Sequence, residues 1–197
     1  MKAEHHLNEL ITNHPELANC RNSILSAAQV MKASLDAGGK LLICGNGGSG
    51  ADAEHWAGEL LKRFCTLRPL PKGLPPELAA ELEGAFPAIP LTAFSSFQSA
   101  WANDRNSDFN FAQLVNALGR RGDVLIGLST SGSAKNVNHA VTAAKALGLK
   151  TVGLTGAKGG SLAAAADVVI KVPAAETFKV QELHLPVYHC ICQMLDA

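Results

Sequence analysis

The sequence has no excess of charge of either sign. Seventeen Lys and Arg balance seventeen Asp and Glu, so no strongly basic stripe points to a nucleic-acid partner. It has no run of about 18 apolar residues, which excludes a helical membrane span. Its opening stretch, MKAEHHLNELITNHPEL, has no apolar core of signal-peptide length, and the cytosol is the expected compartment. Nor is there a metal-type cysteine pattern. The five cysteines are an odd number, and Cys190 and Cys192 stand two apart, neither C-x-x-C nor stacked on a helix; free thiols in a reducing compartment are expected.

What is present is an ordinary globular composition, 47% hydrophobic and 17% charged over 197 residues. That length suits one domain able to bury roughly 70% of its unfolded surface. Apolar residues recur at helical spacing from about Leu7 to Ala37, with Pro15 as a break or first residue and Gly38-Gly39 as the stop. KLLIC then reads as a buried strand and SGADAEHWAGELLKRF as a helix.

A proline-rich excursion at about 69–86 interrupts this rhythm. Within it PPELAAELEGAF can form a short helix with Pro76 in its first turn. AIPLTA is expected to be a strand, and residues from about Asp108 to Leu118 a helix. Thereafter DVLIGLS, KTVGLTG and DVVIKV read as strands, separated by helices at SAKNVNHAVTAAKALG and SLAAAA and closed by a helix over FKVQELHLPVYHCICQMLD. Continuous apolar strands alternating with helices imply a parallel sheet covered on both faces.

The loop Gly45-Asn46-Gly47-Gly48-Ser49-Gly50 spells the dinucleotide fingerprint G-x-G-x-x-G. A nicotinamide site also needs an acidic residue about 20 positions on, at the end of the next strand. That region is TLRPLPKG, with neither acid nor strand, so no nucleotide cofactor is expected. A tight turn alone would explain one glycine loop. A second loop, Ser129-Thr130-Ser131-Gly132-Ser133, also runs from a strand into a helix. One hydroxyl serves as a helix cap; four exceed that need and suit a phosphate at a helix N-terminus.

The helix after the first loop carries His55 and Glu59 at i, i+4, on one face. Both are competent metal ligands, and Glu59 could instead act as a base. The last helix offers Gln181, Glu182, His184 and His189. Gln181 and His189 lie roughly 12 Å apart along a helix axis, far for sharing one metal, and Pro186 stands between them. His5, His6, His14 and His139 are read as ordinary surface or structural histidines.

These motifs in order, GNGGS with Asp52, His55 and Glu59, then STSG, then a terminal QE-x-H helix with His189, resemble the sugar isomerase (SIS) domain family, and within it the bacterial phosphoheptose isomerases. The resemblance covers nearly the whole chain outside the excursion. It implies one SIS domain over 1–197, a three-layer, flavodoxin-like doubly wound α/β sandwich. It further implies a homotetramer with active sites at subunit contacts, which interconverts sedoheptulose 7-phosphate and a glycero-manno-heptose 7-phosphate on the route to lipopolysaccharide heptose. By the same resemblance, His55, Glu59, Gln181 and His189 would bind zinc. Asn46, Gly47, Gly48, Ser49, Asn103, Asp104, Ser129, Thr130, Ser131, Ser133 and Gln181 would contact the sugar phosphate, with Glu59 as base and His189 as acid.

The chain departs from the family pattern at Ala134, where STSGSA replaces STSGNS, at Phe178, at Pro186 and in the length of the excursion. A different class of function also fits an SIS domain. It could be a non-catalytic adaptor resembling the DnaA initiator-associating protein, or a sugar-phosphate sensor needing the two loops without acid and base. The adaptor carries Asn where His189 stands here, so the retained four-residue set favours an enzyme.

Overall fold

A computed structural model describes residues 2–197. Helix α1 (Lys2–Asn13) ends before Pro15, which opens a single 3-10 stretch, Pro15–Cys20, and the chain continues as α2 (Arg21–Asp36). The apolar periodicity therefore belongs to two helices, divided where proline lacks its N–H. Strand β1 (Leu41–Gly45) leads into α3 (Gly48–Leu61); α4 (Pro76–Glu81) lies in the excursion, with Pro76 in its first turn. Strand β2 is short, Ala88–Pro90, and turns at Leu91–Ala93 into a 3-10 helix, so only half of AIPLTA pairs. Proline has no N–H to continue a ladder and is tolerated at this sheet edge.

Helix α5 (Ser95–Asp104) has no counterpart in the sequence reading. None of its residues is fully buried; its apolar side is only Phe97, half-buried against the core, and Trp101, too short a pattern to announce a helix. The remaining elements follow the expected alternation: α6 (Asn110–Leu118), β3 (Val124–Leu128), α7 (Lys135–Ala146), β4 (Lys150–Thr155), α8 (Gly160–Ala165), β5 (Val168–Lys171) and α9 (Thr177–Leu195). Helix α9 runs unbroken through Pro186. Burial of Val180, His184, Val187, Tyr188 and Ile191 along it offsets the one hydrogen bond that proline cannot make.

All five strands are parallel, in the order β2-β1-β3-β4-β5. Leu41 pairs with Val124 and Ala88, and Val124 with Lys150. Alternate residues serve opposite faces. Leu41 and Ile43 join a core with residues of α1, α2, α3 and α9, whereas Leu42 and Cys44 join one with α6, α7 and α8. The result is a three-layer, doubly wound sandwich of the flavodoxin-like order, as expected. All five cysteines are free, and burial pushes the Cys44 thiol up to about 12.

The excursion is rooted in a buried ion pair. Arg68 Nε donates to Asp196 Oδ1 at 2.7 Å, and both side chains are almost fully buried. Arg68 Nη1 also donates to the carbonyls of Leu60 (2.6 Å) and Lys62 (2.7 Å) at the end of α3. The guanidinium lies 4.3 Å over the Phe86 ring, where the excursion returns. One side chain thus caps α3, ties it to the end of α9 and closes the base of the excursion. Removing a single partner from a buried pair leaves an uncompensated charge. Arg68→Ala is expected to lower stability by about 3–5 kcal/mol, measured as a lower urea midpoint at unchanged slope.

His184 is wholly buried in α9. Burial lowers its pKa to about 4, against a smaller opposing effect of the Thr155 backbone that the ring faces. The unfolded chain takes up this proton near the ordinary value of about 6.5, the folded chain only near 4. Stability from neutral His184 is therefore complete above about 6.5 and lost as pH falls toward 4, by about 3 kcal/mol in total. Denaturant unfolding across that window is expected to show the loss, and a His184→Leu variant a smaller one.

Candidate active site

Adjacent to β1, the strand order reverses: β2 lies on one side and β3 on the other. The chain leaves their carboxyl ends in opposite directions, which opens a crevice in this type of sheet. Both candidate loops meet there. Asn46, Gly47, Gly48 and Ser49 face Ser129, Thr130 and Ser131 across a cleft of ≈ 330 Å³, which Gln181 and Thr177 close from α9. Gly47, at φ 53° and ψ −122°, holds a backbone conformation that residues with a Cβ rarely adopt. Gly48 admits the neighbouring helix, since a Cβ there would stand 2.6 Å from the Gln181 amide nitrogen.

Some hydroxyls serve the loop itself. Ser129 Oγ accepts from the Ala134 N–H at 3.4 Å and Ser131 Oγ from the Ser133 N–H at 3.2 Å. Ser133 lines an adjoining cleft with Lys158, sharing Thr130 and Ser131 as the wall between the two. Asn136, absent from the sequence reading, joins the two loops. Its side chain and that of Asn46 exchange hydrogen bonds of 2.8 and 2.9 Å. Its signal was faint: an amide in the first turn after the hydroxyl loop, where such residues also serve as helix caps. Asn103 and Asp104 do not reach this cleft. They lie exposed at the end of α5, where Asn103 Nδ2 donates to Asp104 Oδ1 at 2.9 Å.

Helices α3 and α9 run side by side from the cleft, and a second cluster sits further along them. His55 Nε2 is 3.2 Å from Glu59 Oε1, and Lys62 Nζ is 2.7 Å from Glu59 Oε2. The hydrogen bond from Lys62 holds the Glu59 carboxyl below its ordinary range, against a smaller opposing effect of burial. The His189 ring centroid is 5.1 Å from that of His55. Burial, then the nearby His55, lowers the His189 pKa, partly offset by Glu59. Glu59 is thus an ionised carboxylate and His189 a neutral imidazole at neutral pH.

The donor types at this cluster, two imidazoles and a carboxylate, suit zinc. His189 Nε2 is buried without a hydrogen-bond partner, as a ligand nitrogen awaiting an ion would be. The chain does not gather the whole expected set. Gln181 packs against Gly48 and lies roughly 12 Å from His189 along α9. Among the described residues, no three His, Cys, Asp or Glu side chains converge tightly enough to enclose a metal.

A glycine loop and a hydroxyl loop at the switch point of this sheet define a class, and the SIS domain profile matches residues 8–156. The chain belongs to the SIS domain family, in its phosphoheptose isomerase branch. It is 41% identical to the phosphoheptose isomerase of Rhodospirillum rubrum over 180 residues, covering 91% of this chain and 88% of that one. With the phosphoheptose isomerase of Halorhodospira halophila the identity is 43% over 176 residues, covering 88% and 81%. Among solved structures, phosphoheptose isomerase GmhA from Neisseria gonorrhoeae superposes with a TM-score of 0.79 at 36% identity, covering 98% of this chain and 96% of that one. A phosphoheptose isomerase from Francisella tularensis gives 0.81 at 34% identity, covering 98% and 95%.

The Gly48 geometry generates a test. Gly48→Ala meets only the tip of a flexible side chain, so the fold should tolerate it while Gln181 is pushed into the cleft. Sugar-phosphate affinity, measured by calorimetry, is expected to fall at least about tenfold, equivalent to about 1.4 kcal/mol, with little change in the melting temperature.

Proposed function

We propose that the protein is an aldose–ketose isomerase of sugar phosphates, converting sedoheptulose 7-phosphate to D-glycero-D-manno-heptose 7-phosphate through an enediol. The names of its relatives support this substrate. The observation that carries the reading is the layout of α3, which starts in the glycine loop and bears Glu59 beside His55 and, from α9, His189. The cleft of Asn46, Gly47, Gly48, Ser49, Ser129, Thr130, Ser131 and Gln181 takes the sugar phosphate on backbone N–H groups and hydroxyls; Ala134 lines it, whereas Ser133, expected to compensate for the serine that Ala134 replaces, faces the adjoining cleft.

Glu59 removes the proton from C1, and the bonding pair shifts to the C1–C2 bond as the C2 carbonyl becomes an oxyanion. Neutral His189 protonates O2 and recovers a proton from O1; Glu59 returns its proton to C2. No oxidant is needed, because the carbonyl only moves. An ionised Glu59 and an uncharged imidazole suit these parts.

Zinc, where bound, would draw on His55, Glu59 and His189; Gln181 of the same chain rests against Gly48, roughly 12 Å along α9 from His189, and is out of reach of it. Bound there, zinc would polarise the sugar oxygens as a Lewis acid. A carboxylate tightly held by a metal is a poor base, so the two roles of Glu59 belong to different states.

Glu59 lies eleven residues into α3, roughly 16 Å along its axis from Gly48. One short ligand does not span that distance easily, and Asn103 and Asp104 stand apart from the cleft. Both features support an active site completed by a neighbouring copy, in a homotetramer. We assign the chain as one SIS domain with an insertion at 69–86, working in the cytoplasm on the route to lipopolysaccharide heptose. No helix among the described residues is long and apolar enough to cross a membrane.

The test is isomerisation of a panel of five-, six- and seven-carbon ketose phosphates. Turnover should be highest with the seven-carbon ketose, and Glu59→Gln and His189→Ala should each lose roughly 10²–10⁴-fold while remaining folded and assembled. Inactivity on the whole panel, or wild-type turnover in either variant, overturns the proposal.

A further inference from the structure

Asn136 is one link of a row of side-chain amides that also takes in Asn46, Asn110 and Gln98. Its Nδ2 donates to Asn46 Oδ1 at 2.9 Å and to Asn110 Oδ1 at 3.3 Å. Its Oδ1 accepts from Asn46 Nδ2 at 2.8 Å and from the Val137 N–H at 3.0 Å. Asn110, buried at the start of α6, donates from Nδ2 to Gln98 Oε1 of α5 at 3.0 Å, and its Oδ1 also accepts from the Phe111 N–H at 2.7 Å. Gln98 Nε2 ends the row on the carbonyls of Leu91 (3.2 Å) and Thr92 (3.3 Å), in the turn that follows β2.

Backbone groups fix the direction of these amides. The Leu91 and Thr92 carbonyls only accept, so the Gln98 NH2 faces them and its oxygen faces Asn110. The Phe111 and Val137 N–H groups only donate, so they hold the oxygens of Asn110 and Asn136. An amide side chain offers two N–H donors and an oxygen with two lone pairs. All four are in use at Asn136, and nothing of it remains for a ligand. A helix cap needs only the oxygen; the two bonds from Nδ2 exceed that role. Asn46, by contrast, spends one N–H and one lone pair on Asn136 and keeps one of each. It lines both the cleft between the loops and a second pocket of ≈ 390 Å³ that Glu54, Thr92 and Gln98 also line.

We infer that Asn136 is a positioning residue: backed by Asn110 and Gln98, it pins the Asn46 amide so that one N–H and one lone pair meet the hydroxyls of the sugar. A hydroxyl can donate or accept, so a polyhydroxy chain answers both groups. A phosphate is rich in acceptors and answers the N–H alone. The row ties the chain beyond β1, β2 and β3 to one orientation of Asn46. This role in binding rests on the proposed sugar-phosphate site; the row of amides does not.

The experiment is calorimetric binding of sedoheptulose 7-phosphate and of inorganic phosphate to the full-length protein and its variants. Asn136→Ala should weaken the sugar phosphate about tenfold, as expected for one or two lost hydrogen bonds, and inorganic phosphate by less than about threefold. Asn46→Ala should weaken the sugar phosphate at least as much. Adding Asn136→Ala to it should then cost nothing further, because a positioning residue has no effect without the group it positions. A capping or packing role would instead add its loss in full. Asn110→Ala, which leaves the Asn46–Asn136 pair in place, should weaken the sugar phosphate about threefold and serves if Asn136→Ala does not fold. Additive losses in the double variant, equal losses for the two ligands, or unchanged affinity in the folded variants overturn the inference. A wild type that binds no sedoheptulose 7-phosphate overturns the proposed substrate instead. The row is then read by side-chain amide NMR of the ligand-free protein, with the Asn46 signals assigned from Asn46→Ala. They should move in Asn110→Ala, and signals that stay in place overturn the relay.

Discussion

The reversal of strand order at β1 is the constraint on which the rest of the molecule depends. A parallel sheet must send each connection over one face or the other, and the chain changes direction of travel where β2 and β3 flank β1. The glycine loop and the hydroxyl loop therefore leave adjacent strand ends and separate, leaving a crevice between them. Helix α3 leaves that crevice and α9 packs beside it, so every side chain of proposed function is placed relative to one topological feature.

The seam between α3 and α9 carries the geometry away from the crevice. At its near end Gln181 occupies the space that Gly48 leaves free; in its middle Trp56 stacks on Tyr188; at its far end Arg68 joins the α3 carbonyls to Asp196. These three fastenings fix the relation of Glu59 and His189. Arg68 gives the excursion its place as well, because the chain leaves and returns across the same guanidinium. An insertion anchored in this way can vary in length with little disturbance to the helices beneath it, since closure entropy grows only slowly with loop length.

Much of this was legible in the sequence. The fingerprint-like glycines were separated from a nicotinamide site by the missing acid, and the structure puts TLRPLPKG in the excursion rather than at the end of a second strand. The i, i+4 spacing of His55 and Glu59 placed both on one helix face, where they meet at 3.2 Å. Helix α5 was not legible, because Phe97 and Trp101 alone, one turn apart, leave too short an apolar pattern to mark a helix. Asn136 escaped for another reason: its partner Asn46 stands 90 positions away in the chain, and spacing rules reach only a few residues.

By itself, the sequence determined the alternation of strands and helices, a parallel sheet covered on both faces, the two loops and the ordering of candidate groups along α3 and α9. These follow from local rules: apolar runs, proline and glycine placement, and the 3.6-residue period. Only the tertiary structure decided that Gln181 keeps company with the glycine loop while His189 keeps company with His55, and that Asn103 and Asp104 stand outside the cleft. It alone showed Asn46, Asn136, Asn110 and Gln98 as a single hydrogen-bonded chain. The physical reason is that a helix dictates where its side chains lie along its own axis, whereas which of them meet another helix depends on the register at which two packed surfaces interlock.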